Sequence, residues 1–89
     1  MAWRIEIADG AKKDLAKLDK QVARRITTFL RERLAVLDDP RSIGEALQGS
    51  RLGEFWKYRI GDYRVIVRIQ NGVLCIVVLK ARHRSQVYR

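Results

Sequence analysis

Period-two alternation in the second half of the chain constrains the fold more than any other feature. Phe55-Trp56-Lys57-Tyr58-Arg59-Ile60 alternates apolar with polar, and so does Tyr63-Arg64-Val65-Ile66-Val67-Arg68-Ile69, the mark of strands with one buried face. Gly61-Asp62 between them reads as a turn. Asn71-Gly72 is the strongest short hairpin signal there is, and the run from Val73 to Leu79 after it is almost wholly apolar. Such a strand is buried on both faces and so belongs in the middle of a sheet. Three antiparallel strands in succession make a meander.

The first half reads as one strand and two helices. Trp3, Ile5 and Ile7 alternate with Arg4 and Glu6, giving a strand over 2–8 that can lie beside the apolar last strand. Asp9 can cap a helix whose apolar positions are Ala11, Leu15 and Leu18. The stripe continues through Val22, Ile26, Phe29 or Leu30, Arg33 or Leu34, and Leu37, so periodicity alone does not separate one helix from two. Asp19 is a good cap residue, and a break there predicts a helical hairpin, 9–18 and 20–37. Asp38-Asp39-Pro40 ends it, because proline cannot continue the ladder. Residues 41–53 hold three glycines and no clean period, and read as a loop. The expected fold class is α+β: an N-terminal strand, a two-helix hairpin packed on one sheet face, then the meander. At 89 residues, 1–89 is expected to be a single domain, since a chain this short buries roughly 60–65% of its unfolded surface.

Charge narrows the function. The 19 Lys and Arg outnumber the 10 Asp and Glu, and the excess is uneven: net +2 in residues 1–50 and net +7 in 51–89. A field of one sign on one segment attracts polyanions and points to nucleic acid. Cys75 is the only cysteine, so neither an internal disulfide nor a cysteine-built zinc site is expected. There is no apolar run long enough to span a membrane and no signal-peptide pattern at Met1, so a cytoplasmic protein with no membrane partner is expected.

Counting outward from two-residue turns sets a register. Ile60 faces Tyr63, Arg59 faces Arg64, Tyr58 faces Val65 and Lys57 faces Ile66; across the second turn Arg64 faces Leu79. Lys57, Arg59 and Arg64 then share one face, with Arg68 further along it, and the apolar residues take the other. The last strand delivers Lys80, Arg82, His83 and Arg84 to the same end of the sheet. Paired arginines repel, so the clustering makes sense if an anion such as a phosphate occupies the face. In this half the only carboxylates are Glu54 and Asp62 and the only imidazole is His83, too few for a metal-dependent nuclease, so no metal or cofactor is expected. The chemistry that remains is attack of an RNA 2′-hydroxyl on its own phosphate. Cations would stabilise the developing charge, and a lysine crowded by Arg59 and Arg64 could serve as base because like charges disfavour its ammonium form.

Two segments carry a family resemblance, Trp56-Lys57-Tyr58-Arg59-Ile60-Gly61-Asp62-Tyr63-Arg64-Val65-Ile66 and Lys80-Ala81-Arg82-His83-Arg84-Ser85-Gln86-Val87-Tyr88. With the order strand, helix, helix, meander they resemble the RelE/ParE toxin superfamily, and the ending looks like its RelE branch. The resemblance implies a toxin of a toxin–antitoxin pair that cuts mRNA in the ribosomal A site, with a RelB-like antitoxin, the ribosome and mRNA as partners. It implies Lys57 as general base, Arg64 as transition-state stabiliser, Arg82 as general acid and Tyr88 as a stacking platform for a base of the codon. Arg59 stands where RelE has a second lysine, and keeps only an electrostatic role. Arg68, Lys80, His83 and Arg84 are expected to bind substrate, while His83 also invites the acid–base role that other branches give a histidine. Two other readings stay open: a ParE-like inhibitor of DNA gyrase that cuts nothing, and a basic RNA- or ribosome-binding module.

Overall fold

Trp3 anchors the start of the chain: its backbone N–H donates to Ala35 O at 2.7 Å and its indole N–H to Asp38 O at 3.4 Å. The computed structural model describes residues 3–47 and 55–87. β1 (Arg4–Ile7) leads into α1 (Asp9–Lys17), with Ala8 at the N-cap, so Asp9 is the first helical residue and complements the helix dipole without capping. Asp19 does cap α2 (Lys20–Thr28), accepting from Gln21 N–H at 3.0 Å.

The second helix does not run on to 37 as an α-helix. From Phe29 to Leu34 it widens into a π turn, with Ala35 N–H bonded to Leu30 O at 2.9 Å. This resolves the ambiguous stripe. Ile26, Leu30 and Leu34 recur every four residues, each step overshooting an α-helical turn by about 40°. The π turn takes up the overshoot, and all three are buried.

A 3₁₀ turn (Pro40–Ile43) and a two-residue strand β2 (Glu45–Ala46) occupy the start of the expected loop; the rest of that loop lies outside the described residues. β3 (Phe55–Ile60) and β4 (Tyr63–Gln70) follow the predicted register, Arg59 opposite Arg64 and Lys57 opposite Ile66. Gly61, at φ 58, supplies the left-handed residue of their two-residue turn. Arg25 lies over it, its Nη1 3.0 Å from where a Cβ would stand.

The second hairpin departs from expectation. Asn71–Val73 forms a 3₁₀ turn, Leu74 takes the left-handed conformation at φ 48, and β5 (Cys75–His83) begins only then, with Gln70 opposite Cys75. A non-glycine residue there is strained by about 1–2 kcal/mol. Its surroundings hold it: Arg41 Nη2 bonds Asn71 Oδ1 at 3.1 Å, Arg4 N–H donates to Leu74 O at 2.8 Å, and the Leu74 side chain packs on the core. The longer loop shifts the register by two residues. A bulge then adds one more, because Val67 pairs with Val78 but Ile66 pairs with Lys80, leaving Leu79 unpaired. Arg64 therefore faces Arg82, not Leu79, and the strand runs on past its expected end at Leu79 through Lys80 to His83.

The sheet order is β1-β5-β4-β3-β2, with β1 parallel to β5 and the other pairs antiparallel. β5 is an interior strand, flanked by β1 and β4, as its apolar run requires. The helices cover one face over a core that includes Tyr58, Val65, Val67, Ile76, Val78 and Ala81, and Cys75 is fully buried.

Tyr58 shows how tightly that core is closed. Its hydroxyl donates to Pro40 O at 2.6 Å, and a Cβ on Gly44 would meet its ring at 2.8 Å. Tyr58→Phe orphans the Pro40 carbonyl and is expected to cost about 1–3 kcal/mol in urea unfolding. Gly44→Ala forces the ring to move and is expected to cost about 1–3 kcal/mol. Burial also pushes the Tyr58 phenol well above its ordinary value. The unfolded chain then releases this proton first, so stability present at neutral pH falls as the pH rises above about 10. Tyr58→Phe should flatten that alkaline decline.

Candidate functional site

The outer face of the sheet carries the cations. Strand pairing sets Arg59 beside Arg64 and Arg64 beside Arg82, three arginines in a row across β3, β4 and β5. Lys57 and Lys80 flank Ile66 in the neighbouring row. The Leu79 bulge decides this arrangement, since an unbroken ladder from Gln70 and Cys75 would set Ala81 opposite Arg64 and turn Arg82 inward. Arg64 is braced: its Nη1 donates to Gly61 O at 3.0 Å and Tyr63 O at 2.9 Å.

Two carboxylates from the first half of the chain meet these cations, and neither was foreseen. Glu45 on β2 stands opposite Lys57 in register, its Oε2 3.7 Å from Lys57 Nζ. Asp14 on α1, only 9% exposed, accepts from Arg82 Nε and from Ala81 N–H, each at 3.1 Å. Asp14 had a legible signal. It follows Ala11 by three residues and precedes Leu18 by four, so a charged residue stands on the buried stripe of α1. Glu45 had none, because only the pairing of β2 with β3 brings it there.

The other predicted residues are dispersed. Arg68 lies on the outer face between Phe55 and Val77, and its buried Nε has no hydrogen-bond partner among the described residues. His83 faces inward opposite Tyr63, edge-on to that ring at 5.4 Å between centroids. Its Nδ1 accepts from Ser85 N–H at 3.2 Å, so the neutral ring carries its proton on Nε2. Arg84 is exposed, and its backbone N–H ties the chain end to Asp62 O at 2.8 Å. Val87 is buried; Tyr88 lies outside the described residues.

The cationic surface also continues around the edge of β3. A cleft of about 450 Å³ there joins Lys57 and Arg59 to Arg25 and Arg33 on the second helix, over Phe29 and Ile60. Sequence reading missed these helical arginines, which look like ordinary solvated residues until packing brings them to the strand. Among the described residues, no three His, Cys, Asp or Glu side chains converge, and no helix is long and apolar enough to cross a membrane.

A helical hairpin thus covers one face of the sheet, and arginines are ranked across the other. The family model for the ParE toxin of type II toxin–antitoxin systems matches residues 5–88, and the chain belongs to that family. Toxin RelG of Mycobacterium tuberculosis is 28% identical over 89 residues, which is 100% of this chain and 99% of RelG. Among solved structures, the RelBE2 toxin–antitoxin complex of M. tuberculosis superposes with TM-score 0.82 at 25% identity, covering 94% of this chain and 100% of that one. The RelE–RelB complex of Pyrococcus horikoshii superposes with TM-score 0.75 at 30% identity, covering 98% and 100%. The protein is thus a toxin of a type II toxin–antitoxin system.

The row of arginines carries a stability cost that can be measured. Removing the charge at exposed Arg59, as in Arg59→Gln, is expected to stabilise the fold by roughly 0.2–1 kcal/mol. The gain should shrink in about 1 M salt, where screening already relieves the repulsion. A loss of stability in this variant would show that the row is not repulsive.

Proposed function

We propose that this toxin is a ribosome-dependent endoribonuclease that cuts mRNA in the A site, held in check by a RelB-like antitoxin and acting in the cytoplasm. The observation that carries the reading is the alignment of Arg59, Arg64 and Arg82 on three adjacent strands, with Lys57 in the next row. Such a face suits one phosphodiester, on which guanidinium forks make charge-assisted contacts.

In the proposed step a base takes the 2′-hydroxyl proton, and the 2′-oxygen attacks the adjacent phosphorus. The bond to the 5′-oxygen breaks, and that oxygen leaves with a proton. The products are a 2′,3′-cyclic phosphate and a 5′-hydroxyl. Arg59 and Arg64 neutralise the charge that grows on the phosphoryl oxygens, and Arg82 donates to the departing 5′-oxygen. A lysine ammonium has no lone pair with which to accept a proton, but the Glu45 carboxylate beside Lys57 has. The pair together serves as the base, Lys57 orienting and Glu45 accepting. Arg68, Lys80, Arg84 and His83 hold the flanking strand, and Tyr88 stacks on a codon base, worth about 1–3 kcal/mol.

Primer extension on mRNA in a purified translation system tests this. Codon-internal breaks are expected with the wild-type protein. They should fall by about 10²-fold or more in Lys57→Ala, Arg64→Ala, Arg82→Ala and Glu45→Gln. The match to a ParE family model favours a second reading, inhibition of DNA gyrase without cleavage. Intact mRNA together with blocked supercoiling would establish that second reading instead.

The edge cleft makes a separate prediction. If Arg25 and Arg33 contact phosphates, Arg25→Ala and Arg33→Ala should each flatten the salt dependence of binding to mRNA-programmed ribosomes by about 0.7 in log–log slope. An unchanged slope would remove them from the interface.

A further inference from the structure

Asp14 is the one buried charged side chain among the described residues, and the cleavage mechanism above makes no use of it. Its location follows from the sheet. β1 pairs with β5 only as far as Val78, so beyond that point β5 has an open edge. α1 runs along this edge: Ala8 N–H donates to Val78 O at 2.9 Å, and a Cβ on Gly10 would stand 3.7 Å from Leu79 O. One turn further on, Asp14 Oδ2 accepts from Ala81 N–H and Arg82 Nε–H together.

These two hydrogen bonds have different requirements. Ala81 N–H needs only an acceptor to close the strand edge, and an amide oxygen would serve. Arg82 Nε–H gains from a charged acceptor, because such bonds are shorter and roughly twice as strong as neutral ones. Holding Nε also fixes the plane of the guanidinium, since the group is rigid and its two terminal nitrogens then point in set directions. Arg82 springs from the outer face opposite Arg64, yet its side chain is fastened at the edge of β5 by a residue 68 positions away in sequence.

We propose that Asp14 is a positioning residue for Arg82. Its carboxylate sets the direction in which the guanidinium presents its remaining donors to the scissile phosphate, and it supplies a counter-charge that lets Arg82 stand beside Arg64. This inference rests on the cleavage reading of the previous subsection. Asp14 acts through Arg82 and touches no substrate.

Asp14→Asn is the discriminating variant, because it keeps an acceptor for Ala81 N–H and removes the charge. Its cooperative thermal unfolding is expected to persist, while single-turnover cleavage on programmed ribosomes falls about 10²-fold. Ribosome affinity, read by co-sedimentation, should stay within about twofold, the split expected when an interaction matters only in the transition state. In an Arg82→Ala background, Asp14→Asn should cost nothing more, as residues acting through one another are non-additive. The Arg82 Nε–H resonance, protected in the wild-type protein, should exchange rapidly with water in Asp14→Asn. Full activity, increased activity, or an additive loss in the double variant would each overturn the proposal. If the wild-type protein leaves mRNA intact, or Arg82→Ala cuts as well as wild type, the cleavage reading itself fails, a result distinguishable from failure of Asp14 alone.

Discussion

Everything in this molecule depends on β5 being hydrogen-bonded on both sides. Its parallel pairing with β1 fastens the start of the chain to its end, and its antiparallel pairing with β4 carries the meander. A strand so placed exposes neither edge along most of its length, and at its start Cys75, Ile76 and Val78 are fully buried. Where β1 stops, α1 takes over the exposed edge. The single unpaired residue at Leu79 then turns the next four side chains, so that Ala81 enters the core and Arg82 joins the cations. A β-bulge aimed at a functional side chain is a recurrent device, because one extra residue inverts the alternation of everything beyond it.

The second constraint is electrostatic. Arg59, Arg64 and Arg82 in adjacent strand positions repel one another, and the fold tempers this from both flanks. Glu45 reaches Lys57 from β2, and Asp14 reaches Arg82 from α1. Both carboxylates come from the half of the chain whose own charge is nearly balanced. A net charge counted along the sequence therefore overstates the field at the site, and the difference is supplied by tertiary pairing. What remains is a row of like charges that the fold tolerates because carboxylates stand at both of its flanks.

Much of this was legible beforehand, and the misses share a cause. The first hairpin, its register, the Asp19 cap and the interior place of the last strand follow from patterns within a few residues, where steric and hydrogen-bonding rules act directly. The Asn71-Gly72 turn misled because its usual geometry is only a local preference, outweighed by contacts from Arg4, Arg41 and the core to the loop that ends at Leu74. The π turn is visible in the sequence only as an ambiguous stripe. Arg25, Arg33, Glu45 and Asp14 look unremarkable because their partners are distant in sequence.

By itself the sequence determined the strands, the helical hairpin and the excess of positive charge. Those depend on side-chain period, turn residues and composition, which are local properties. Tertiary structure alone decided which cations stand together, which carboxylates accompany them and which way Arg82 points. The physical reason is that strand register beyond a bulge, and contacts such as Asp14 to Arg82 across 68 residues, exist only once the sheet has closed.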